Sequence, residues 1–167
     1  SQSIAGVLRT KPHAFDVRFP ADLVPGSESI SLKVYTSPVG RLTDAIEALI
    51  REPCGCFEQT SSTTYPLVFA LQYLRTHSGV KPGLVARATE MLRKGYAKLV
   101  SYESAGGGFE WFGGSPGHES LTAYGLVQFA AMSAPETGVP GMVDPAMMDR
   151  TVKWLQKRKD GKGGYLR

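Results

Sequence analysis

The hydrophobic pattern changes period once along this chain. Up to about residue 36 it alternates. Phe15, Val17 and Phe19 are interleaved with Asp16 and Arg18, and Ile30, Leu32 and Val34 with Ser31 and Lys33. Period two predicts strands, and the Pro20–Ser29 stretch with Pro25-Gly26 punctuates them. Two strands seldom stand alone, so this segment needs partners. From about Arg41 the spacing becomes helical. Leu42, Ile46, Leu49 and Ile50 share one face of a helix ending near Pro53. A second helix is predicted from near Gln59 to about His77, with Pro66 inside it demanding a late start or a kink. A third covers Leu84 to Tyr102, with Leu84, Ala88, Met91, Leu92 and Leu99 on one side. Ser120 to Met132 is apolar nearly all round, which predicts a buried inner helix. Asp144-Pro145 reads as an N-cap followed by proline at the first helical position, with Met148, Val152 and Leu155 facing inward.

A weak repeat runs through the helical part. Gly107-Gly108-Phe109 and Gly163-Gly164-Tyr165 each follow a helix rich in Lys or Arg. Such punctuation between paired helices marks a repeat array. The chain has 167 residues, enough for a moderate domain with its own core. Its 42% hydrophobic and 20% charged content is that of an ordinary globular protein. It lacks the apolar run of roughly 20 residues that spans a bilayer, and an export signal is expected outside these residues. The net charge of +4 is mild. Its densest part, Lys153 to Lys162, reads as a solvated helix end, because cations favour the C-terminal dipole and no aromatic platform for nucleic acid is interleaved.

The candidate chemistry lies in Arg51-Glu52-Pro53-Cys54-Gly55-Cys56-Phe57-Glu58-Gln59-Thr60. Cys54 and Cys56 are the whole thiol inventory. They make no disulfide framework, a bond between residues two apart is badly strained, and two thiols without a nearby His pair are a poor metal site. A Cys and a Gln three positions apart permit another reaction. The Cys56 thiolate can displace ammonia from the Gln59 amide and leave an internal thioester. Gly55 lets the chain turn sharply for that closure. Such a bond is spent once per molecule. The plain alternative is a buried cysteine near a helix start, since free Cys is often simply core.

The flanks extend the pattern. Cys56-Phe57-Glu58-Gln59 is followed by a Thr/Ser run, Tyr65-Pro66 and Leu67-Val68-Phe69-Ala70-Leu71. With Arg51-Glu52-Pro53, Tyr73-Leu74, Gly107-Gly108-Phe109, Leu121-Thr122-Ala123-Tyr124, Trp154-Leu155-Gln156 and Asp160-Gly161, the chain resembles the thioester region of the alpha-2-macroglobulin and complement family. The resemblance covers most of the sequence and suggests a divergent, bacterial-type branch. It implies a mainly α fold: residues 37–167 as the N-terminal half of an α/α toroid, and residues 1–36 as the first part of a split, CUB-like β-sandwich domain. It also implies a single-use protease trap rather than a hydrolase. Cys56 and Gln59 would be the thioester pair, with Gly55, Phe57 and Glu58 as motif members. No metal or organic cofactor is implied. Partners would be target proteases, caught through a surface Lys, and the rest of a multidomain parent protein in a secreted, periplasmic or cell-surface setting. Complement-like tagging of target surfaces, and a helical binding module whose pair never closes, stay open beside it.

Other residues carry double readings. Tyr65 and Phe69, with Phe57, could shield a thioester or be core packing. Glu58 could serve the chemistry or the helix dipole. Thr60 to Thr64 read as capping hydroxyls. Cys54 and Phe57 depart from the family, which usually has an aromatic at the first position and Gly at the second. Cys54 reads as a small buried filler, or as a thiol that could take the acyl group by exchange. A cysteine hydrolase would need His13, His77 or His118 beside Cys56. His13 and His77 read as surface residues, and His118 begins the inner helix.

Overall fold

The helix that carries the Cys-Gln motif begins at its sulfur. Cys56 is extended (φ −77°, ψ −178°) and caps a helix that starts at Phe57, two residues before the expected position. The computed structural model describes residues 4–7, 9, 12, 14–35, 38–78, 80 and 82–165. The chain divides into two units, Ser1–Tyr35 and Thr36–Arg167. In the first, the expected turn is present: Ser27 N–H donates to the Val24 carbonyl at 3.0 Å, with Gly26 at φ +82°. The expected strands are not shown. Among the described residues of this unit no strand pairing occurs, and Phe15, Val17, Phe19, Ile30, Leu32 and Val34 are exposed. Alternation supplies a face, but a ladder needs neighbouring strands.

The second unit is helical: α1 (Pro38–Leu49), α2 (Phe57–Thr76), α3 (Pro82–Val100), α4 (Glu119–Met132) and α5 (Pro145–Lys157), with a 3-10 turn at Pro135–Thr137. α2 is central, packing on α1, α3 and α4, and α4 also packs on α5. Pro66 neither delays nor ends α2. An interior proline costs about 3 kcal/mol. Leu67, Val68, Leu71 and Leu74 just beyond it are almost wholly buried, at roughly 1.5–3 kcal/mol each, so packing outweighs the missing bond. Among the described residues no helix is long and apolar enough to cross a membrane.

Three inward faces differ from their expectations. Among the described side chains of α1 only Ile46 is deeply buried, while Leu42 and Leu49 are exposed. On α4 Leu121, Thr122, Gly125, Gln128, Phe129 and Met132 are buried, but Tyr124 and Val127 lie on an exposed face. On α5 the buried positions are Met147, Thr151 and Leu155, one residue out of phase with Met148 and Val152. The expected cap holds, with Asp144 accepting from Ala146 and Met147 N–H. The face it selects admits Thr151 because that hydroxyl donates to the Met147 carbonyl at 2.8 Å.

The Gly-Gly-aromatic repeat is a structural repeat. After α3, Glu103 bridges Phe109 antiparallel, and after α5, Lys159 bridges Tyr165. Ser104 N–H bonds to the Gly108 carbonyl, and Asp160 N–H to that of Gly164. A side chain at Gly107 or Gly108 would run into the Trp154 ring. Trp154 also carries the Arg158 guanidinium 4.9 Å from its centroid. Arg150 of α5 grips Glu103 through two bonds of 2.6 and 2.7 Å. In the second loop the Asp160 carboxylate accepts from Lys162 and Gly164 N–H at 2.7 and 2.8 Å. These two backbone donors hold its carboxyl below the ordinary value of 3.8.

Two outcomes follow for this framework. Gly95 on α3 faces α2, and an added Cβ would collide with the Thr64 hydroxyl and lie 2.9 Å from Thr64 Cβ. Gly95→Ala should therefore destabilise by about 1–3 kcal/mol through overpacking, despite a helix-propensity gain of up to ~1 kcal/mol. Gly83→Ala, which meets open space on the same helix, should be neutral or stabilising, and paired denaturation curves check the contrast. Because the folded-state pKa of Asp160 is depressed, its contribution is fully present above pH 3.8 and is lost as pH falls through the lower folded value. The Lys162 and Gly164 amide signals should shift with a midpoint below 3.8 in an NMR titration, and Asp160→Asn should abolish that transition.

Candidate functional site

The turn before α2 depends on Gly55. Its φ is +81°, where a side chain is strained. A Cβ there would collide with Gln59 Oε1 and lie 2.8 Å from Gln59 Cδ. The Gln59 side chain is thus folded back over the turn rather than extended into solvent. Its Oε1 accepts the Cys56 N–H at 3.0 Å. The Cys56 side chain takes the reciprocal place opposite the Gln59 backbone N–H, a capping-box arrangement with sulfur as the weak acceptor. Cys56 is buried and Gln59 is exposed.

The turn is held from several sides. The buried Thr60 hydroxyl lies 3.3 Å from the Cys54 carbonyl and 3.5 Å from that of Gly55. The Tyr102 phenol donates to the Gly55 carbonyl at 2.5 Å. On the far side of Cys56, Phe57 N–H donates to the Trp111 carbonyl at 2.9 Å. Tyr102 and Trp111 both belong to the segment that forms the first Gly-Gly-aromatic loop, and Glu110 N–H closes that loop onto the Tyr102 carbonyl. Phe57 is wholly buried, its ring 5.4 Å from Phe109 and 6.4 Å from Tyr102. Gly125 of α4 makes room for it, since a Cβ there would sit 2.8 Å from Phe57 Cζ.

Several expected residues take other roles. Thr60, Ser61 and Thr64 are fully buried and donate to acceptors instead of capping helix N–H groups. Thr64 donates to the Thr60 carbonyl and Ser61 to Gln128 Oε1 on α4. Ser62 and Thr63 donate to the Gln59 carbonyl. Cys54 is exposed rather than a buried filler, because the group it turns inward is its carbonyl. Glu58 is exposed in the first turn of α2, the favourable end of the dipole. Tyr65 packs on Phe69 and Tyr124, centroids 5.3 and 6.0 Å away. By helical rise this cluster lies about 9–15 Å along α2 from Gln59. Phe69 is itself 57% exposed.

The histidines are spread apart. His13 lies outside the described residues. His77 is exposed at the far end of α2, stacked on Tyr73, roughly 30 Å from Cys56 by helical rise. His118 is the N-cap residue of α4 with its ring edge-on to Trp111 at 4.7 Å, and its Nδ1 is buried with no partner among the described residues. It borders a cavity of about 1080 Å³ that Glu110, Trp111, Glu119 and Arg158 also line. Among the described residues no three His, Cys, Asp or Glu side chains cluster as a metal site. Tyr102 and Trp111 were missed by sequence reasoning; their only signal was adjacency to the Gly-Gly-Phe motif.

Gly55→Ala should destabilise by about 1–3 kcal/mol, combining a positive φ with the displaced Gln59. It should also speed alkylation of Cys56 by iodoacetamide relative to Cys54, which peptide mass spectrometry resolves.

Comparison with known proteins identifies the family of this chain. Residues 29–167 match the family model of the A-macroglobulin TED domain. Thioester-containing protein 1 of Anopheles gambiae is similar over most of the chain. Its alleles S3 and S1 are each 25% identical over 157 residues, 94% of this chain and 11% of the relative's length. Allele R1 is 25% identical over 159 residues, with the same shares. The chain therefore spans 11% of the length of these curated relatives. With its helical body and its Cys-Gln turn, the chain belongs to the A-macroglobulin TED domain family.

Proposed function

We propose that Cys56 and Gln59 form an internal thioester, and that this chain is the acylating part of a larger, secreted protein that captures targets covalently. The observation that supports it is the fold-back of Gln59, whose Oε1 lies 3.0 Å from the Cys56 N–H beside the sulfur-bearing residue. In closure, the Cys56 sulfur attacks Gln59 Cδ. The C–N bond breaks and ammonia leaves, carrying the thiol proton. In capture, a target amine attacks the same carbon. The C–S bond breaks, Gln59 becomes an amide link to the target, and the amine's proton returns to Cys56 as thiol. Nothing is oxidised or reduced.

The backbone supports both steps. Each attack places negative charge on the Gln59 carbonyl oxygen, and the Cys56 N–H already donates to it. A donor fixed in advance costs no reorganisation during reaction, the logic of an oxyanion hole. Unlike ordinary nucleophilic catalysis, the acyl bond is built beforehand and consumed once. It has to be screened from water until a conformational change in the parent protein exposes it. The first target reading is a protease, trapped through a surface Lys after it cleaves the parent protein, which makes the whole a peptidase inhibitor. The second is complement-like tagging of surfaces, with the same chemistry on a different acceptor. The name of these relatives, thioester-containing protein 1, states the thioester and leaves the acceptor open.

Intact mass and thiol titration with methylamine test the bond. The native chain should be lighter than its sequence mass by one ammonia, with only Cys54 reacting. Methylamine should add once, at Gln59, and release the second thiol. Cys56→Ser should abolish both changes. A native mass equal to that of the sequence, with both thiols free at once, would falsify the thioester reading. Running an amine against a polyol at equal concentration separates the targets: amine adducts favour protease capture, and ester adducts favour tagging.

A further inference from the structure

The donor that faces Gln59 does not act alone. The Cys56 N–H and the Gly55 carbonyl are the two ends of one peptide unit, so they point to opposite sides of a rigid plane. On one side the N–H donates to Gln59 Oε1 at 3.0 Å. On the other, the Tyr102 phenol donates to the carbonyl at 2.5 Å, with the Thr60 hydroxyl at 3.5 Å as a weaker second. We propose that Tyr102 is a positioning residue for the acyl chemistry, holding and polarising the Gly55–Cys56 peptide so that its N–H is aimed at the Gln59 carbonyl oxygen. This inference rests on the thioester reading for its chemical consequence, though not for its geometry.

Three observations carry it. The first is the conformation of Gly55. At φ +81° with no side chain, that residue leaves its peptide plane free to rotate unless something outside the turn holds it. Local sequence supplies only the weak Thr60 contact at 3.5 Å; the stronger hold, from Tyr102, comes from 47 residues away. The second is the tightness of the phenol's own placement. Tyr102 is 9% exposed, its ring is edge-on to Phe57, and its backbone carbonyl accepts Glu110 N–H at 3.2 Å, closing the loop that delivers Trp111 to Phe57 N–H. One loop therefore grips the peptide before Cys56 through a side chain and the peptide after it through a backbone carbonyl.

The third is electronic. A donor on a peptide oxygen draws density from the nitrogen and strengthens the N–H as a donor, the cooperative effect of linked hydrogen bonds. As charge grows on Gln59 Oε1 during attack, the chain phenol to peptide to oxyanion is a ready path for stabilising it. Removing the phenol hydroxyl leaves the Cys56 N–H in place but less well aimed and less polarised. The ring, its contact with Phe57 and the closed loop stay.

Tyr102→Phe on the full chain tests this, with Tyr96→Phe as control, because that hydroxyl accepts Asp144 N–H away from the turn. Two readouts are taken: the Cys56 amide by NMR, as chemical shift and hydrogen exchange, and the second-order rate of methylamine addition by mass. Loss of one hydrogen bond of ordinary strength corresponds to a change of up to about tenfold. In Tyr102→Phe the Cys56 amide should move upfield and exchange about three- to tenfold faster, and methylamine addition should slow by about the same factor, at a melting temperature close to that of Tyr96→Phe. A purely structural role would lower the melting temperature and leave the addition rate of the folded fraction untouched. An unchanged Cys56 amide in Tyr102→Phe would overturn the inference. If the unsubstituted chain itself adds no methylamine, the thioester reading fails on that arm, and the amide arm still decides whether Tyr102 controls the peptide.

Discussion

Gly55 is placed in a left-handed conformation, and that conformation persists because residues 102–111 hold the peptides on both sides of Cys56. Without the Tyr102 phenol on the Gly55 carbonyl and the Trp111 carbonyl on Phe57 N–H, the turn would be a glycine hinge with a flexible glutamine beside it. The grip is possible because Phe57 is sealed between Phe109, Tyr102 and the space left by Gly125. Hydrophobic burial at one residue thus sets the hydrogen-bond geometry at its neighbours. That order of cause matters energetically. Burying a phenylalanine is worth roughly 1.5–3 kcal/mol, whereas each hydrogen bond nets about 1 kcal/mol.

Both departures from the family pattern have a physical place in this arrangement. Phe57, where glycine is usual, is the plug of the site rather than a cover over it. Cys54 leaves its thiol in solvent and uses its carbonyl to anchor Thr60. The surrounding polar core follows the same logic. Thr60, Ser61, Thr64 and Gln128 are fully buried; each hydroxyl finds an acceptor, while Gln128 Nε2 has no partner among the described residues. Close helix approach at Gly95 lets Thr64 pack directly against α3.

Much of the helical body was legible in the sequence. The period change near Arg41, the Asp144 cap and the Gly-Gly-aromatic repeat each correspond to an observed feature, because each is a local signal: spacing, a side-chain acceptor, a residue able to take positive φ. The misses share a cause. The phase of α5 slipped by one residue because Thr151 hides its polarity in its own helix and Trp154 is drawn to the Gly107–Gly108 backbone. The sequence of α4 is apolar nearly all round and predicts a buried inner helix, yet Tyr124 and Val127 are exposed. Composition reports apolarity and cannot report which neighbours are present. The strands expected before residue 36 met the same limit, since alternation names a face while pairing needs other strands.

For the proposed site, the sequence alone determined the residue types, their spacing and the glycine at the turn, since whether Cys56 and Gln59 can reach each other is a matter of covalent geometry. Only the tertiary structure decided how that turn is held. Tyr102 and Trp111 lie some fifty residues from the motif, and no local pattern links them to it. Their link is a loop closed by its own backbone bonds and packed on Phe57, which exists only once α3, α4 and α5 are in place.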